Sequence, residues 1–349
     1  MQERTGIKKD FFEAISKNLK YDQYRKRLII MKIVFLETNT LGNDVSLEAF
    51  EVLGEVVRYG LSDPERNAER AKDADILVVN KIPMNEESLA QAENLKLICL
   101  TATGTNNVDF AYANKRGIAV ANVKGYSTQS VIQHTFALFF YLYEKLSYYD
   151  NFVKSGDYSR NDIFCHFDAK FRELYGKTWG IIGLGEIGRG VAAIAKLFGC
   201  RVIYYSTSGK NDNADYERVD FDTLLKESDV VSIHAPLNDA TRNLIGAEEL
   251  SKMKKSAILL NLGRGPIVNQ EALADALEKG EIAGAGLDVL TVEPMEADNP
   301  LLRIQDSTKL LITPHIAWAT VEARQRCADE VAENIRAFLK GEKRNIVTN

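Results

Sequence analysis

The stretch Trp179-Gly-Ile-Ile-Gly-Leu-Gly-Glu-Ile-Gly188 constrains the fold more than any other part of this chain. A short apolar run that reads as a strand, 179–182, meets G-x-G-x-x-G at Gly183, Gly185 and Gly188. A helix-compatible segment, 187–198, follows at once. Three glycines at this spacing carry little weight alone, because a glycine turn needs no ligand. Between a strand and a helix they meet the context that a dinucleotide-binding turn requires. Gly183 permits the tight turn, Gly185 lets a pyrophosphate approach the backbone, and Gly188 allows close helix–sheet packing. The helix N-terminus supplies free N–H groups and a partial positive charge.

That turn opens one of two α/β series. The first has strand-like runs at 31–36, 55–59, 75–80, 95–100 and 118–123, and the second at 179–182, 201–205, 229–234, 257–262, 284–289 and 310–313. Most are apolar throughout their centres, which suits parallel strands covered on both faces. The expected fold class is α/β, with two doubly wound parallel-sheet domains: a flavodoxin-like substrate domain and a Rossmann dinucleotide-binding domain. A chain of 349 residues is the right length for two such domains. The expected boundaries are an N-terminal extension at 1–30, a substrate domain at 31–126 plus 317–349, and a dinucleotide domain at 127–316. A helix capped by Ser127 or Thr128 and apolar nearly all round, through Tyr143, should be buried between domains or subunits. An amphipathic helix at 320–339 should return to the first domain. Residues 147–176 are aromatic and irregular, the character of an interface arm, so a homodimer is expected.

Bulk properties exclude several classes. The net charge of −5 offers no broad basic field for nucleic acid. The four cysteines (Cys99, Cys165, Cys200, Cys327) have neither metal-ligand nor redox spacing, which fits a reduced cytoplasm and implies no metal. No apolar run approaches the length of a membrane span. Residues 1–30 carry eight Lys/Arg and four Asp/Glu; Phe11, Phe12, Ile15 and Leu19 can share one face of a short helix. The acidic residues argue against a transit peptide and the lack of a long apolar core against a secretory signal. The core fold is expected to begin at Met31.

Chemistry concentrates in the last third. Arg264 in Asn-Leu-Gly-Arg-Gly, Glu293 in Thr-Val-Glu-Pro and His315 in Thr-Pro-His-Ile each lie just past a strand-like run. Strand ends of an open α/β sheet converge on one crevice. An arginine fork suits a carboxylate and a neighbouring carbonyl oxygen. A carboxylate beside an imidazole would fix its tautomer and keep a proton at hand. The plain alternatives are a surface arginine and a structural histidine. Of the other histidines, His134 reads as a buried helix residue, His166 as a loop residue and His234 as part of the cofactor cleft. In the first domain the turn at Thr103–Gly104 can grip an anion through backbone N–H groups, and Lys81 at a strand end can add charge or simply be solvated. Some twenty residues past the glycines a dinucleotide site expects an acidic residue for the ribose hydroxyls. Ser206 stands there, followed by Thr207, Ser208 and Lys210, so NAD is favoured and NADP is possible.

Together these stretches resemble the D-isomer-specific 2-hydroxyacid dehydrogenases, nearly from Met31 to the end. The resemblance rests on Ala-Thr-Gly-Thr-Asn-Asn-Val-Asp (102–109), Gly-Tyr-Ser-Thr-Gln-Ser-Val (125–131), the glycine turn, Asn-Leu-Gly-Arg-Gly-Pro-Ile-Val-Asn (261–269) and Gly-Ala-Gly-Leu-Asp-Val (284–289). Asn-Lys-Ile-Pro (80–83) and Pro-His-Ile-Ala-Trp-Ala-Thr (314–320) look like the glycerate dehydrogenase, or hydroxypyruvate reductase, branch. The resemblance implies reduction of a small 2-oxo acid, hydroxypyruvate or glyoxylate favoured, to the D-2-hydroxy acid with a nicotinamide cofactor. It implies that Arg264, Glu293 and His315 are catalytic. Lys81, Thr103, Gly104, Arg264 and Trp318 would bind substrate. Gly183, Gly185, Glu186, Ile187, Gly188, Ser206, Thr207, Ser208, His234, Ala235, Pro236, Thr241, Leu262, Gly263, Asp288 and His315 would line the cofactor. Asp288 would face the nicotinamide carboxamide. The alternatives are a dinucleotide-sensing co-repressor on the same scaffold, which needs no catalytic trio, and a D-lactate-type dehydrogenase.

Overall fold

The computed structural model describes residues 31–61 and 63–348. They form two compact units, one running to Tyr126 and resuming at Val321, the other spanning Ser127–Thr320.

The first unit holds a five-stranded sheet of order β2-β1-β3-β4-β5, every pair parallel. Its strands are β1 (Lys32–Phe35), β2 (Glu55–Arg58), β3 (Ile76–Val79), β4 (Leu97–Leu100) and β5 (Ala119–Ala121). β3 and β4 are buried at every position, as their uninterrupted apolar character requires. Val34, Leu77, Val79, Ile98, Leu100 and Val120 build one core beneath the helices. The helix Val321–Leu339 packs on β4 and buries Ala323, Cys327, Ala328, Val331, Ala332 and Ile335. Small alanines along that stripe let the helix lie close to the sheet. The strand order places the reversal between β1 and β3, and the carboxyl ends of those strands form a ligand-type crevice.

The second unit holds a seven-stranded parallel sheet of order β12-β11-β10-β9-β6-β7-β8. Its strands are β6 (Thr178–Ile182), β7 (Arg201–Tyr205), β8 (Glu217–Arg218), β9 (Val230–Ile233), β10 (Ile258–Asn261), β11 (Gly284–Leu287) and β12 (Leu310–Ile312). Counted from β6 this is the dinucleotide-binding order 3-2-1-4-5-6 with one strand added. Alternate residues feed opposite faces: Ile182, Val231, Ile233 and Leu259 enter one core, Ile181, Val230, Ile258 and Leu260 the other. The two-residue β8 escaped the sequence reading because Glu217 and Arg218 are exposed and carry no apolar signal.

The apolar helix, Thr128–Tyr143, packs within its own unit on β10, β11, β12 and the helix Glu186–Leu197, with Phe136 and Phe139 against the buried Trp179. Two expectations need adjustment. Residues 317–320 belong with the second unit, not the first, because the Asp288 carboxylate accepts from Ile316 N and Ala317 N and Ser130 Oγ donates to Ala317 O. The segment 147–176 is also more regular than its composition implied, opening with the helix Leu146–Lys154. The basic extension at 1–30, with its amphipathic face, lies outside the described residues.

Candidate active site

The trio of Arg264, Glu293 and His315 belongs entirely to the second unit, and each member follows a strand. Arg264 lies past β10 in a turn clamped by the buried Asn261, whose side chain accepts from Gly263 N (3.1 Å) and donates to Arg264 O (3.0 Å). The guanidinium Nη1 donates to Gly263 O at 2.8 Å. Gly265 explains why this turn tolerates no side chain beside the arginine. A Cβ there would fall 1.9 Å from Leu290 C and 2.5 Å from Thr291 N, so the Arg264 turn is pressed against the loop that carries Glu293. Glu293 Oε1 accepts from Leu290 N at 2.9 Å, which fixes the carboxylate at the mouth of its own loop. Its other oxygen, Oε2, lies 2.7 Å from His315 Nδ1. His315 adopts φ 55°, a left-handed conformation uncommon outside glycine, held by bonds from its N–H to Asp288 O and Thr313 O.

A carboxylate oxygen can only accept, so Nδ1 carries the proton of that pair. Nε2 is then the nitrogen that can give or take a proton. Among the described residues it has no hydrogen-bond partner. Two of the trio are thus joined by a direct hydrogen bond and the third sits on a loop packed against the second.

The glycine turn lies at the reversal of strand order in the same sheet, between β6 and β9. Gly183 has φ +93°, and a Cβ there would meet Ala235 Cα at 2.9 Å and His234 C at 3.0 Å. A Cβ on Gly188 would strike Gly183 O at 2.3 Å. Gly185 is different: a Cβ would meet nothing within 4 Å. It begins the helix Glu186–Leu197 with no side-chain cap, so the first-turn N–H groups have no capping side chain to satisfy them. Beside Gly183 stands His234, whose two ring nitrogens are both buried and, among the described residues, both without a hydrogen-bond partner. Burial alone pushes its pKa down to about 3. An imidazole always carries at least one N–H, so a buried ring with no acceptor is costly unless a ligand supplies one. An uncapped helix start, a glycine with room to spare and an orphaned imidazole together fit a bound dinucleotide.

Other residues named from the sequence have different surroundings. Ser206 is 5% exposed; its hydroxyl accepts from Asn211 N and its carbonyl from Gly209 N, so it closes the turn after β7, while Ser208 and Lys210 are exposed. Thr241 is fully buried and braces its loop, donating to Pro236 O and accepting from Asn238 N. Asp288 is 2% exposed and its carboxylate already accepts from Thr313 Oγ1, Ile316 N and Ala317 N. The role of facing a carboxamide therefore competes with three bonds inside the protein. In the first unit, Thr103 Oγ1 donates to Val123 O and Asn122 Nδ2 to Thr103 O, which hold the anion-type turn, and Lys81 is exposed. Glu37, which the sequence reading passed over, is 7% exposed and its Oε1 accepts from Asn80 N, Lys81 N and Ile82 N at 2.5, 2.7 and 3.1 Å. An acidic residue just past a strand is a common surface feature, so only its burial marks it. Burial also pushes the Cys200 thiol up to about 11 and Cys327 to about 12, which leaves both unreactive at neutral pH. No group of three or more His, Cys, Asp or Glu among the described residues is placed to hold a metal, and no described helix is long and apolar enough to cross a membrane.

The seven-stranded sheet, its glycine turn at the strand-order reversal and the His–Glu pair define a dinucleotide-dependent oxidoreductase of the α/β class. Residues 136–317 match the NAD binding domain of the D-isomer specific 2-hydroxyacid dehydrogenases. The chain belongs to that family, and its second unit takes a nicotinamide cofactor. It is 40% identical to the glycerate dehydrogenase of Methylorubrum extorquens over 317 residues, 90% of this chain and 98% of the relative. It is 39% identical to the hydroxypyruvate reductase of Blautia hydrogenotrophica over 325 residues, 91% and 99% of the two chains. The D-lactate dehydrogenase of Aquifex aeolicus, solved with NAD and lactic acid, superposes with a TM-score of 0.79 at 30% identity over 91% of this chain and 99% of the other.

Proposed function

We propose that the protein reduces a small 2-oxo acid, hydroxypyruvate or glyoxylate in preference to bulky acids, to the D-2-hydroxy acid. The observation that carries this is the 2.7 Å pair of His315 Nδ1 and Glu293 Oε2, which leaves Nε2 as a proton donor beside an arginine loop. Arg264 holds the substrate carboxylate and polarises the C2 carbonyl through its fork. A reduced nicotinamide held at the Gly183–Gly188 turn would supply the hydride to C2. His315 Nε2 gives its proton to the carbonyl oxygen, and Glu293 stabilises the imidazolium before that transfer. Read in reverse, the neutral ring takes the hydroxyl proton. Positioning and electrostatic stabilisation provide most of the acceleration. Lys81, Thr103, Gly104 and Trp318 are the further substrate-binding residues that the family resemblance implies. The substrate preference is supported by the names of the glycerate dehydrogenase and hydroxypyruvate reductase relatives.

The test is a panel of hydroxypyruvate, glyoxylate, pyruvate and a bulky 2-oxo acid, each with NADH and with NADPH. Failure with all of them defeats the reading and leaves a dinucleotide sensor. NADH is the expected partner on the general preference of this fold, and the NADPH arm tests the alternative, since Lys210 and Arg218, whose Nη2 donates to Gly209 O at 3.0 Å, both stand at the turn after β7. His315→Ala should lower kcat by roughly 10²–10⁴; near-wild-type turnover removes His315 from the mechanism. The aromatic arm, with Phe164 89%, Phe167 69% and Tyr175 78% exposed, is the surface a second copy would cover. Light scattering should give the mass of a dimer, and a monomer refutes this.

A further inference from the structure

We infer that His134, acting through Thr313 and Asp288, is a positioning residue for His315. The inference rests on the catalytic reading of His315 given above. His134 is half-buried on the helix Thr128–Tyr143, and its Nε2 lies 2.9 Å from Thr313 Oγ1. Thr313 Oγ1 lies 2.6 Å from Asp288 Oδ1. The direction of this chain follows from donor counting. A carboxylate has no proton to give, so the threonine hydroxyl donates to Asp288, and its oxygen must accept from His134. His134 therefore carries its proton on Nε2. Burial lowers its pKa and the nearby Asp288 opposes that, so the neutral Nε2–H form is the one in place at neutral pH.

The far end of the chain is the His315 turn. Asp288 Oδ1 also accepts from Ile316 N at 2.9 Å and Oδ2 from Ala317 N at 2.9 Å, while Asp288 O accepts from His315 N at 2.8 Å. Four residues of the turn, Thr313, His315, Ile316 and Ala317, are thus bonded to one aspartate. Ser130, one helical turn before His134, donates to Ala317 O from the same helix. A left-handed φ at His315 is a strained choice for a histidine and persists only where its surroundings over-determine it. Ser130 and His134 supply that determination from the helix, and Asp288 transmits it. The carboxylate of Asp288 is then chiefly a clamp on the catalytic turn.

The experiment uses His134→Phe and Thr313→Val, the double variant, and Thr313→Ser and His134→Gln, which keep a donor in place. With saturating cofactor, His134→Phe and Thr313→Val should each lower kcat about tenfold with the substrate KM and the thermal midpoint nearly unchanged, the cost of a slightly misplaced acid. The double variant should be no worse than either single one, and Thr313→Ser should recover most of the rate. In cofactor-free protein the downfield Nδ1–H proton resonance of His315 should broaden or vanish in the two disrupting variants and persist in Thr313→Ser. Wild-type kcat in either disrupting variant, additive losses in the double variant, or an unperturbed His315 resonance overturns the inference. If the wild-type protein turns over no 2-oxo acid, the catalytic reading fails and the resonance alone decides whether His134 holds the ring.

Discussion

Each unit has one place where its parallel strand order reverses, and the two are filled in opposite ways. At the β1–β3 reversal the protein fills the crevice itself: Glu37 places one carboxyl oxygen against three backbone N–H groups of the Asn80–Lys81–Ile82 turn. At the β6–β9 reversal no described side chain plays that part. Gly185 has no neighbour within 4 Å of where its Cβ would be, the helix behind it has no cap, and both His234 ring nitrogens lack partners. One reversal satisfies its backbone N–H groups with an acidic side chain of the chain itself; the other has an uncapped helix start, which fits the pyrophosphate of the proposed cofactor. A crevice at a strand-order reversal is therefore not yet a binding site; what distinguishes a site is a polar deficit left after folding.

The comparison breaks most visibly if Glu37 is removed. Glu37→Leu keeps the volume near that of the original side chain but leaves three backbone donors, two of them buried, without their acceptor, a loss of about 3 kcal/mol at that turn. Amide hydrogen exchange should report it directly, with protection at Asn80, Lys81 and Ile82 reduced by roughly a hundredfold while β6 and β9 keep theirs. Equal protection in the variant would mean that water satisfies those groups and that Glu37 is dispensable. Glu37→Gln retains an acceptor and should fall between the two.

The second crevice is sharpened by giving it what the first already has. Gly185→Asp puts an acidic cap at the helix start, with room to accommodate it, since the backbone there is extended (φ −78°, ψ −160°). Aspartate is among the best caps, so the cofactor-free protein should be as stable as the wild type or more so. Dinucleotide affinity should fall about a hundredfold, because the cap occupies and repels the pyrophosphate position. Calorimetric titration with NADH, paired with thermal unfolding, separates the two effects. Undiminished affinity would place the pyrophosphate elsewhere. Gly183→Ala is the control of opposite character. Its φ of +93° and the Ala235 backbone at 2.9 Å make it a folding defect before it is a binding defect.

The contrast also explains what could be read from the amino-acid order. Strand positions, both sheets and the glycine turn were legible because apolar runs and glycines report local requirements: burial on two faces, positive φ, close approach. Arg264, Glu293 and His315 were legible because each follows such a run, and the structure joins His315 to Glu293 directly. Glu37, Asn261 and Thr313 were not, since their work is to satisfy backbone or side-chain groups brought near by the fold. Nothing in Leu36-Glu37-Thr38 distinguishes a buried clamp from a solvated turn. Ser206 shows the converse. Its position invites a cofactor role, and only the fold shows that its hydroxyl accepts from Asn211 N as well. His134 is the half-buried helix residue its context suggests, but its bond to Thr313 was not legible, because that partner lies 179 positions away.

The finest distinction between the crevices is electrical, and His234 measures it. Its pKa is about 3 in the folded chain against an ordinary 6.5, because burial disfavours the charged ring. Between those values the unfolded chain binds a proton that the folded chain does not, so stability rises with pH there. The contribution is fully present above about pH 6.5 and is lost as pH falls toward 3. His234→Leu removes the linkage. From pH 6 to pH 4 the wild type should lose stability about 1.4 kcal/mol per pH unit faster than the variant. Other groups cancel in the difference, so denaturant unfolding of both proteins across that range suffices. At pH 7 the cofactor-free variant should be at least as stable as the wild type, since it no longer buries an unpaired N–H. NADH affinity should nonetheless drop several-fold. Parallel acid profiles would show that the ring finds a proton acceptor without any ligand, and the second crevice would then be self-filled like the first.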